Sequence, residues 1–286
     1  MARALIAGCG YLGQALADFL TVENWEVECW TATAQSAREL SLRDRRAYAV
    51  DISSPKDVFA HKSDFDAVIH CASTRGGDVD SYRRVYLGGA RNLIECFPNS
   101  RILFTSSTSV YAQTNAEWVS EESPAEPKHE SGKILREAEN VVLAARGVIV
   151  RLGGIYGPGR SASLNKFLDD RAVIDAEQDR FVNEIHRDDA ATAMRLLLKS
   201  AASSGEIYNV VDNKPILQSE CYRWLAARLN RPLPREGRSI SKRKGGESNK
   251  RVSNAKLRSI GWVPEYPTFA EGMKESVLPS VAHESA

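Results

Sequence analysis

Three scarcities bound the chain before any motif is read. Cysteine is sparse and unpatterned. Cys9, Cys29, Cys71, Cys96 and Cys221 are odd in number and carry no C-x-x-C spacing. That argues against a disulfide framework and a zinc site, and for reduced thiols in a cytoplasm. Long apolar runs are missing, and none approaches the roughly 20 residues a membrane span needs. The chain enters a strand-like segment at Ala4, which leaves no room for a signal peptide. Net charge is also small. At +1 it gives no global field pointing to nucleic acid or a membrane surface. No internal repeat or low-complexity tract is present. With 43% hydrophobic and 26% charged residues, the expectation is a cytoplasmic globular protein of one large domain or slightly more.

Against these absences stands one well-formed stretch. Ala4, Leu5, Ile6 and Ala7 form a short apolar run, as in a strand buried on both faces of a parallel sheet. Gly8, Gly10 and Gly13 follow as G-x-G-x-x-G. Leu12, Ala15, Leu16, Phe19 and Leu20 then recur at helical spacing. Strand, glycine turn and helix form the context in which this motif seats a dinucleotide. Gly8 permits the tight turn, Gly10 lets backbone N–H groups approach a pyrophosphate, and Gly13 lets helix pack on strand. The turn, including Cys9, Tyr11 and Leu12, delivers the phosphates to a helix N-terminus.

Strands and helices then alternate. Residues 26–31 (EVECWT) read as the second strand, 47–52 (AYAVDI) as the third and 66–72 (DAVIHCA) as the fourth. This implies a doubly wound parallel α/β sheet of Rossmann type, with ligands at the carboxyl ends of the strands. Thr31, Asp51, Ile52, Cys71, Ala72 and Ser73 are placed to line the cofactor groove. An acid at the end of the second strand would bind the NAD ribose 2′-hydroxyl, and a nearby Arg the NADP 2′-phosphate. The strand ends in Trp30, Thr31, Ala32 and Thr33 without an acid, and Arg38 follows. This leans towards NADP over NAD, although Arg38 could equally open a solvated helix. Asp51 could accept from the adenine amino group or cap the next helix.

Residues 82–97 read as a helix containing Gly88 and Gly89, two residues that weaken a helix by roughly 1 kcal/mol each unless close packing requires them. Residues 101–105 read as the fifth strand, running into the hydroxyl cluster Ser106, Ser107, Thr108 and Ser109. A polar loop at 113–129 is long enough to carry function. Helices at 131–146 and 188–200 and strands at 148–152 and 206–211 follow, with an amphipathic helix at 219–229. The dinucleotide-binding part is expected at residues 1–160 and 186–212, and a smaller substrate-binding part at 161–185 and 213–286.

Taken in order, several segments resemble the NAD(P)-dependent epimerase/dehydratase family, the extended short-chain dehydrogenases/reductases. They are the glycine turn, the Asp51-Ile52 pair, V-I-H-C-A at 68–72, T-S-S-T-S-V-Y at 105–111, R-L-G-G-I-Y-G-P-G at 151–159, N-E-I-H-R-D-D at 183–189 and Y-N-V at 208–210. The departures are equally clear. The turn is G-x-G-x-x-G rather than T-G-x-x-G-x-x-G. An Asn expected in the fourth helix is Tyr86. The family's catalytic Y-x-x-x-K becomes His129-Glu130-Ser131-Gly132-Lys133.

In the family the Tyr hydroxyl exchanges a proton with the substrate oxygen, the Lys holds the ribose and lowers the phenol pKa, and the Ser polarises the same oxygen. The resemblance therefore implies the Ser role for Ser107 and the Lys role for Lys133. An imidazole titrating near 6.5 could act as base near neutrality without assistance. His129 and Lys133 would then share a helical face, about 5–6 Å apart at Cβ. The alternative is an exposed His at a loop–helix junction. Thr108 is a candidate substrate contact. Arg151 could pair with a phosphate or with an acid neighbour, and His186 could anchor the return helix or face substrate. Eight basic residues between Arg231 and Arg251 read either as a solvated loop or as a clamp for a nucleotide-linked sugar. Without interleaved aromatics they do not read as a nucleic-acid patch. The resemblance implies hydride transfer at a secondary alcohol or ketone of a sugar or nucleotide-sugar. The rival is a catalytically silent NAD(P)-binding protein serving a regulatory or redox-sensing role. No metal is called for, and a homodimer is compatible with either reading.

Overall fold

The computed structural model describes residues 1–74, 76–238 and 248–284. Of the basic loop, Lys242, Arg243, Lys244 and the acidic Glu247 lie outside the described residues. Within the described chain the alternating pattern produces strands β1 (Arg3–Ala7), β2 (Glu26–Thr31), β3 (Arg46–Ala49), β4 (Ala67–His70), β5 (Arg101–Ser107), β6 (Glu117–Val119), β7 (Val148–Leu152), β8 (Gly154–Tyr156), β9 (Phe181–Val182), β10 (Glu184–His186), β11 (Ile207–Val210), β12 (Ile216–Leu217) and β13 (Lys250–Val252). The helices used below are α1 (Tyr11–Val22), α2 (Ala34–Ser41), α3 (Pro55–Ala60), α4 (Val79–Tyr82), α5 (Gly89–Cys96), α6 (Glu130–Ala144), α7 (Ala162–Leu168), α8 (Arg187–Lys199) and α9 (Gln218–Leu229). Among the described residues no helix is long and apolar enough to cross a membrane.

Seven strands form one parallel sheet in the order β11-β7-β5-β4-β1-β2-β3. The chain runs outward from β1 to β3, then returns to place β4 on the other side of β1. This reversal creates a crevice at the carboxyl ends of β1 and β4, the position at which doubly wound sheets bind ligands. Helices cover the central strands β1, β4 and β5, whose middle residues are apolar. Leu5, Ile6, Val68, Ile69, Leu103 and Phe104 are fully buried, as expected where both faces are covered.

The contacts divide the chain into two units. The first comprises Met1–Val110, Ala125–Arg151 and Ala191–Tyr208; the second comprises Tyr111–Pro124, Leu152–Ala190 and Asn209–Ala286. The expected boundaries differ from these in four segments, 111–124, 152–160, 186–190 and 209–212, all of which fall in the second unit. Residues 111–124 join the second unit because β6, inside the polar loop, pairs in parallel with β13. Residues 152–160 and 186–190 join it through the parallel pair β8–β10. Its own core gathers Tyr156, Leu164, Phe167, Cys221, Tyr222, Leu225, Phe269 and Met273.

Two local expectations are corrected. The third strand stops at Ala49, so Asp51 and Ile52 lie in the following turn rather than on the strand. The helix read at 82–97 begins at Val79 and passes through one π-type turn at Arg83–Gly88 before α5. Of its two glycines, Gly89 is the one packing requires: a Cβ there would stand 2.7 Å from Ile52 Cδ1.

Candidate active site

The crevice in the first unit is built around the turn after β1. The N–H groups of Gly8 and Cys9 both donate to the Trp30 carbonyl, at 3.0 and 2.8 Å, and the Gly10 N–H donates to Gly8 O at 2.8 Å. Gly8 has φ +97°, and a Cβ on it would overlap the Ala72 backbone. A Cβ on Gly13 would stand 2.9 Å from Gly8 O. Both glycines are therefore closed in by protein. Gly10 is the opposite, since a Cβ there would meet nothing within 4 Å. It sits at the N-cap of α1 with no side chain to accept from the first-turn N–H groups. Open space before an uncapped helix N-terminus fits a pyrophosphate.

The neighbouring strand ends carry further polar groups. Thr31 Oγ1 donates to Thr33 O at 3.1 Å, and Thr33 caps α2 by accepting the Ser36 N–H at 3.2 Å. Arg38 is exposed on α2, with its Nε donating to Ala34 O at 3.3 Å. Both acids on β2 are engaged elsewhere. Glu26 pairs with Arg46 at 2.8 Å and Arg3 at 3.3 Å. Glu28 accepts Trp30 Nε1 at 2.9 Å and pairs with Arg46 at 3.1 Å. Asp51 Oδ1 accepts the N–H and Oγ–H of Ser53 at 2.9 and 2.7 Å, an Asx turn that leaves the carboxylate exposed. Beyond β4, Cys71 N–H donates to Ala7 O at 2.8 Å and Ser73 is exposed. Thr74 Oγ1 is buried there without a hydrogen-bond partner. Sequence reasoning missed Thr74, because a hydroxyl four residues past a strand end gives no signal until the crevice is seen. Tyr86 stacks over His70 with ring centroids 6.2 Å apart.

At the end of β5 one residue, Ser109, joins two of the expected catalytic residues through its backbone. The Ser109 N–H donates to Ser107 Oγ at 3.1 Å, and the Ser109 carbonyl lies 3.3 Å from His129 Nε2. His129 does not share a helical face with Lys133. It is the N-cap of α6, in extended backbone at φ −92°, ψ 146°. Its Nδ1 accepts the Gly132 N–H at 3.0 Å and lies 2.9 Å from Ser131 Oγ. A nitrogen that accepts an amide N–H carries no proton, so the proton sits on Nε2 and points at Ser109 O. Both ring nitrogens are therefore engaged, and the expectation of a free imidazole base is corrected. Lys133 Nζ donates to Glu130 Oε1 at 2.6 Å on the solvent side.

Two expected substrate contacts are also corrected. Arg151 is buried at the end of β7 and grips Glu139 of α6 through both oxygens, Nε–Oε1 at 3.0 Å and Nη2–Oε2 at 2.7 Å. Ser106 Oγ donates to the same carboxylate at 2.6 Å, and Arg136 also pairs with it. With 1% of its surface exposed, Arg151 has no face left for a phosphate. His186, in the second unit, is fully buried. Its Nδ1 accepts the Asp188 N–H at 3.3 Å, its Nε2 lies 3.0 Å from Ser276 Oγ, and Tyr266 packs on it at 4.0 Å. Burial pushes its pKa down to about 4, so the ring is a neutral packing element. Thr108 is buried in the short turn after β5.

Residues 4–210 match the model of the NAD dependent epimerase/dehydratase family. The chain belongs to that family. It is 28% identical to Protein YeeZ of Escherichia coli (strain K12) over 281 residues, which cover 93% of this chain and 97% of that protein. It is also 28% identical to a candidate NAD-dependent epimerase/dehydratase from Methylobacillus flagellatus. The two superpose with a TM-score of 0.75 over 100% of this chain and 99% of that one. A dTDP-glucose 4,6-dehydratase from Bacillus anthracis, solved with NAD, shares the fold at a TM-score of 0.83 and 16% identity, over 100% and 98% of the two chains.

Proposed function

We propose that this chain binds a nicotinamide dinucleotide on residues 8–13 and works by hydride transfer at a secondary alcohol or ketone. The substrate proposed is a small molecule of the sugar or nucleotide-sugar class. The observation that carries the reading is the contrast within the turn: Gly8 and Gly13 are closed in by protein, while Gly10 opens onto free space. When bound, the nicotinamide supplies the hydride donor or acceptor. The remaining work falls to the chain. Ser107 Oγ accepts from the Ser109 N–H, which leaves its own proton for a substrate oxygen. Lys133, one turn into α6, is the ribose contact. NADP is preferred over NAD, because the end of β2 offers Thr31 and, on α2, Arg38, with no acid aimed at a ribose 2′-hydroxyl. The compartment proposed is the cytoplasm, where the five free cysteines stay reduced.

A second reading draws on His129. Its two engaged nitrogens support a protein that binds the dinucleotide without turnover. Calorimetry with NAD and NADP tests the shared premise. Binding of one or both is expected, with Arg38→Ala weakening NADP and sparing NAD. Loss of absorbance at the nicotinamide band, in the presence of ketone sugars and nucleotide-sugars, then separates the readings. Consumption supports the enzyme, and binding without consumption of any carbonyl supports the silent protein. Failure to bind either dinucleotide would sink both.

A further inference from the structure

In the second unit, strands β6 and β13 hold one arginine by everything except its forked end. Arg251 stands beside Trp118 in the parallel register. Its guanidinium lies over the Trp118 ring, 5.1 Å from the centroid, and over the Phe181 ring at 5.3 Å. Its Nε donates to Ala116 O at 2.8 Å. Ala116 takes the left-handed conformation at φ +58°, which a residue with a Cβ adopts at a cost. Its N–H donates to Asn249 O at 2.9 Å. The turn before β6 is therefore strained at the residue whose carbonyl anchors the guanidinium.

The groups left open are specific. Among the described residues nothing accepts from Arg251 Nη1 or Nη2, and no carboxylate pairs with the side chain. Arg231 and Arg238, from the same basic stretch, meet Asp170 at 3.5 Å and Glu177 at 3.3 Å. Glu117, next to Trp118, instead accepts the Asn115 N–H at 2.7 Å. Arg251 is partly exposed, so its free fork meets solvent. Trp118 is 54% exposed although Arg251 covers one face, which leaves the other face open. A guanidinium held flat matches a phosphate or carboxylate through two N–H groups. An open indole stacks a planar ring.

We propose that Arg251 and Trp118 form a binding site for a nucleoside phosphate, with the phosphate on the free edge of the guanidinium and the base on the open face of the indole. An oxyanion alone would use only the fork, and a ring alone only the indole; a nucleoside phosphate uses both. The stacking contact is indifferent to which base is offered, because every base has a π-face. The site lies wholly within the second unit and uses none of residues 8–13, so it stands independently of the dinucleotide reading.

The test uses the full chain, titrated in calorimetry at fixed ionic strength with uridine monophosphate, uridine, inorganic phosphate and UDP-glucose. Indole fluorescence is followed in parallel. Uridine monophosphate is expected to bind and to quench the fluorescence, with uridine and phosphate at least tenfold weaker. Binding of UDP-glucose as well identifies the nucleotide end of a larger ligand as the occupant. Binding of the monophosphate without it identifies the free nucleotide, and either result supports the site. Arg251→Met and Trp118→Ala should each weaken the monophosphate at least tenfold and leave titrations with NAD and NADP unchanged. Arg251→Lys should recover only part of the loss, because an ammonium lacks the fork. If Arg251→Met does not fold, Trp118→Ala still decides, since the ring it removes is exposed. No binding of the monophosphate, or binding and quenching unaltered in Trp118→Ala, overturns this inference. A chain that binds NAD or NADP but not the monophosphate loses this inference alone. One that binds the monophosphate through Arg251 but neither dinucleotide loses the dinucleotide reading alone.

Discussion

The imidazole of His129 gives its Nδ1 lone pair to the Gly132 amide at 3.0 Å, which caps the first turn of α6. A side chain that caps a helix in this way is spent on structure. Replacing His129 with Ala should cost about 1 kcal/mol in urea unfolding, the usual value of an N-cap. Asn, Asp or Ser should retain most of that stability. Any turnover should survive His129→Asn. A large fall in kcat for that variant, at unchanged stability, would put the ring back in the chemistry.

Gly8 and Gly10 should respond oppositely to alanine. Gly8→Ala meets both a positive φ and the Ala72 backbone, so a fall of several degrees in Tm is expected. Gly10→Ala meets nothing within 4 Å, so Tm should hold while dinucleotide affinity drops at least tenfold. A thermal melt and a calorimetric titration on the same samples check both.

The buried pair Glu139–Arg151 joins α6 to β7 and, through Ser106, to the end of β5. Arg151→Met should cost about 3–5 kcal/mol by leaving the Glu139 charge buried with less compensation. Glu139→Leu with Arg151→Met should cost markedly less than the two single changes summed. Equilibrium denaturation of the double-mutant cycle reads the difference.

These residues show where sequence reasoning carries and where it stops. The alternation of apolar runs and amphipathic segments foretold the parallel sheet, because a strand covered on both faces must be apolar throughout. The three glycines were legible because each meets a separate backbone demand. The roles of His129, Arg151 and His186 were not, because a motif position says which residue stands there and not where its polar atoms point. Arg151 could have met a phosphate or an acid, and only the approach of α6 to β7 brings Glu139 to it. The strand β6 was hidden for a related reason. Three residues in a polar loop become a strand only because Lys250–Val252 lies beside them.

Acid should expose the buried His70. Burial holds its pKa down to about 4 from 6.5, so the folded ring stays neutral where the unfolded one takes up a proton. Its contribution to stability is complete above pH 6.5 and is lost as pH falls towards 4, by about 3 kcal/mol. His70→Gln should flatten the stability profile over that window. Glu184 runs the other way. Burial raises it to about 7 from 4.5, so its contribution is lost as pH rises from 4.5 to 7. Glu184→Gln should therefore stabilise the protein at pH 8 relative to pH 4.5, by about 3 kcal/mol. Urea unfolding at a series of pH values measures both.

The parallel pairing of Glu117–Val119 with Lys250–Val252 also sets an order of events during synthesis. Strands β1 to β4 all lie before Cys71, so that much of the sheet can assemble while most of the chain is still on the ribosome. The second unit has no such freedom. Its segment at residues 111–124 must wait, unpaired, until residue 252 has emerged, which makes completion of that unit a late and slow step.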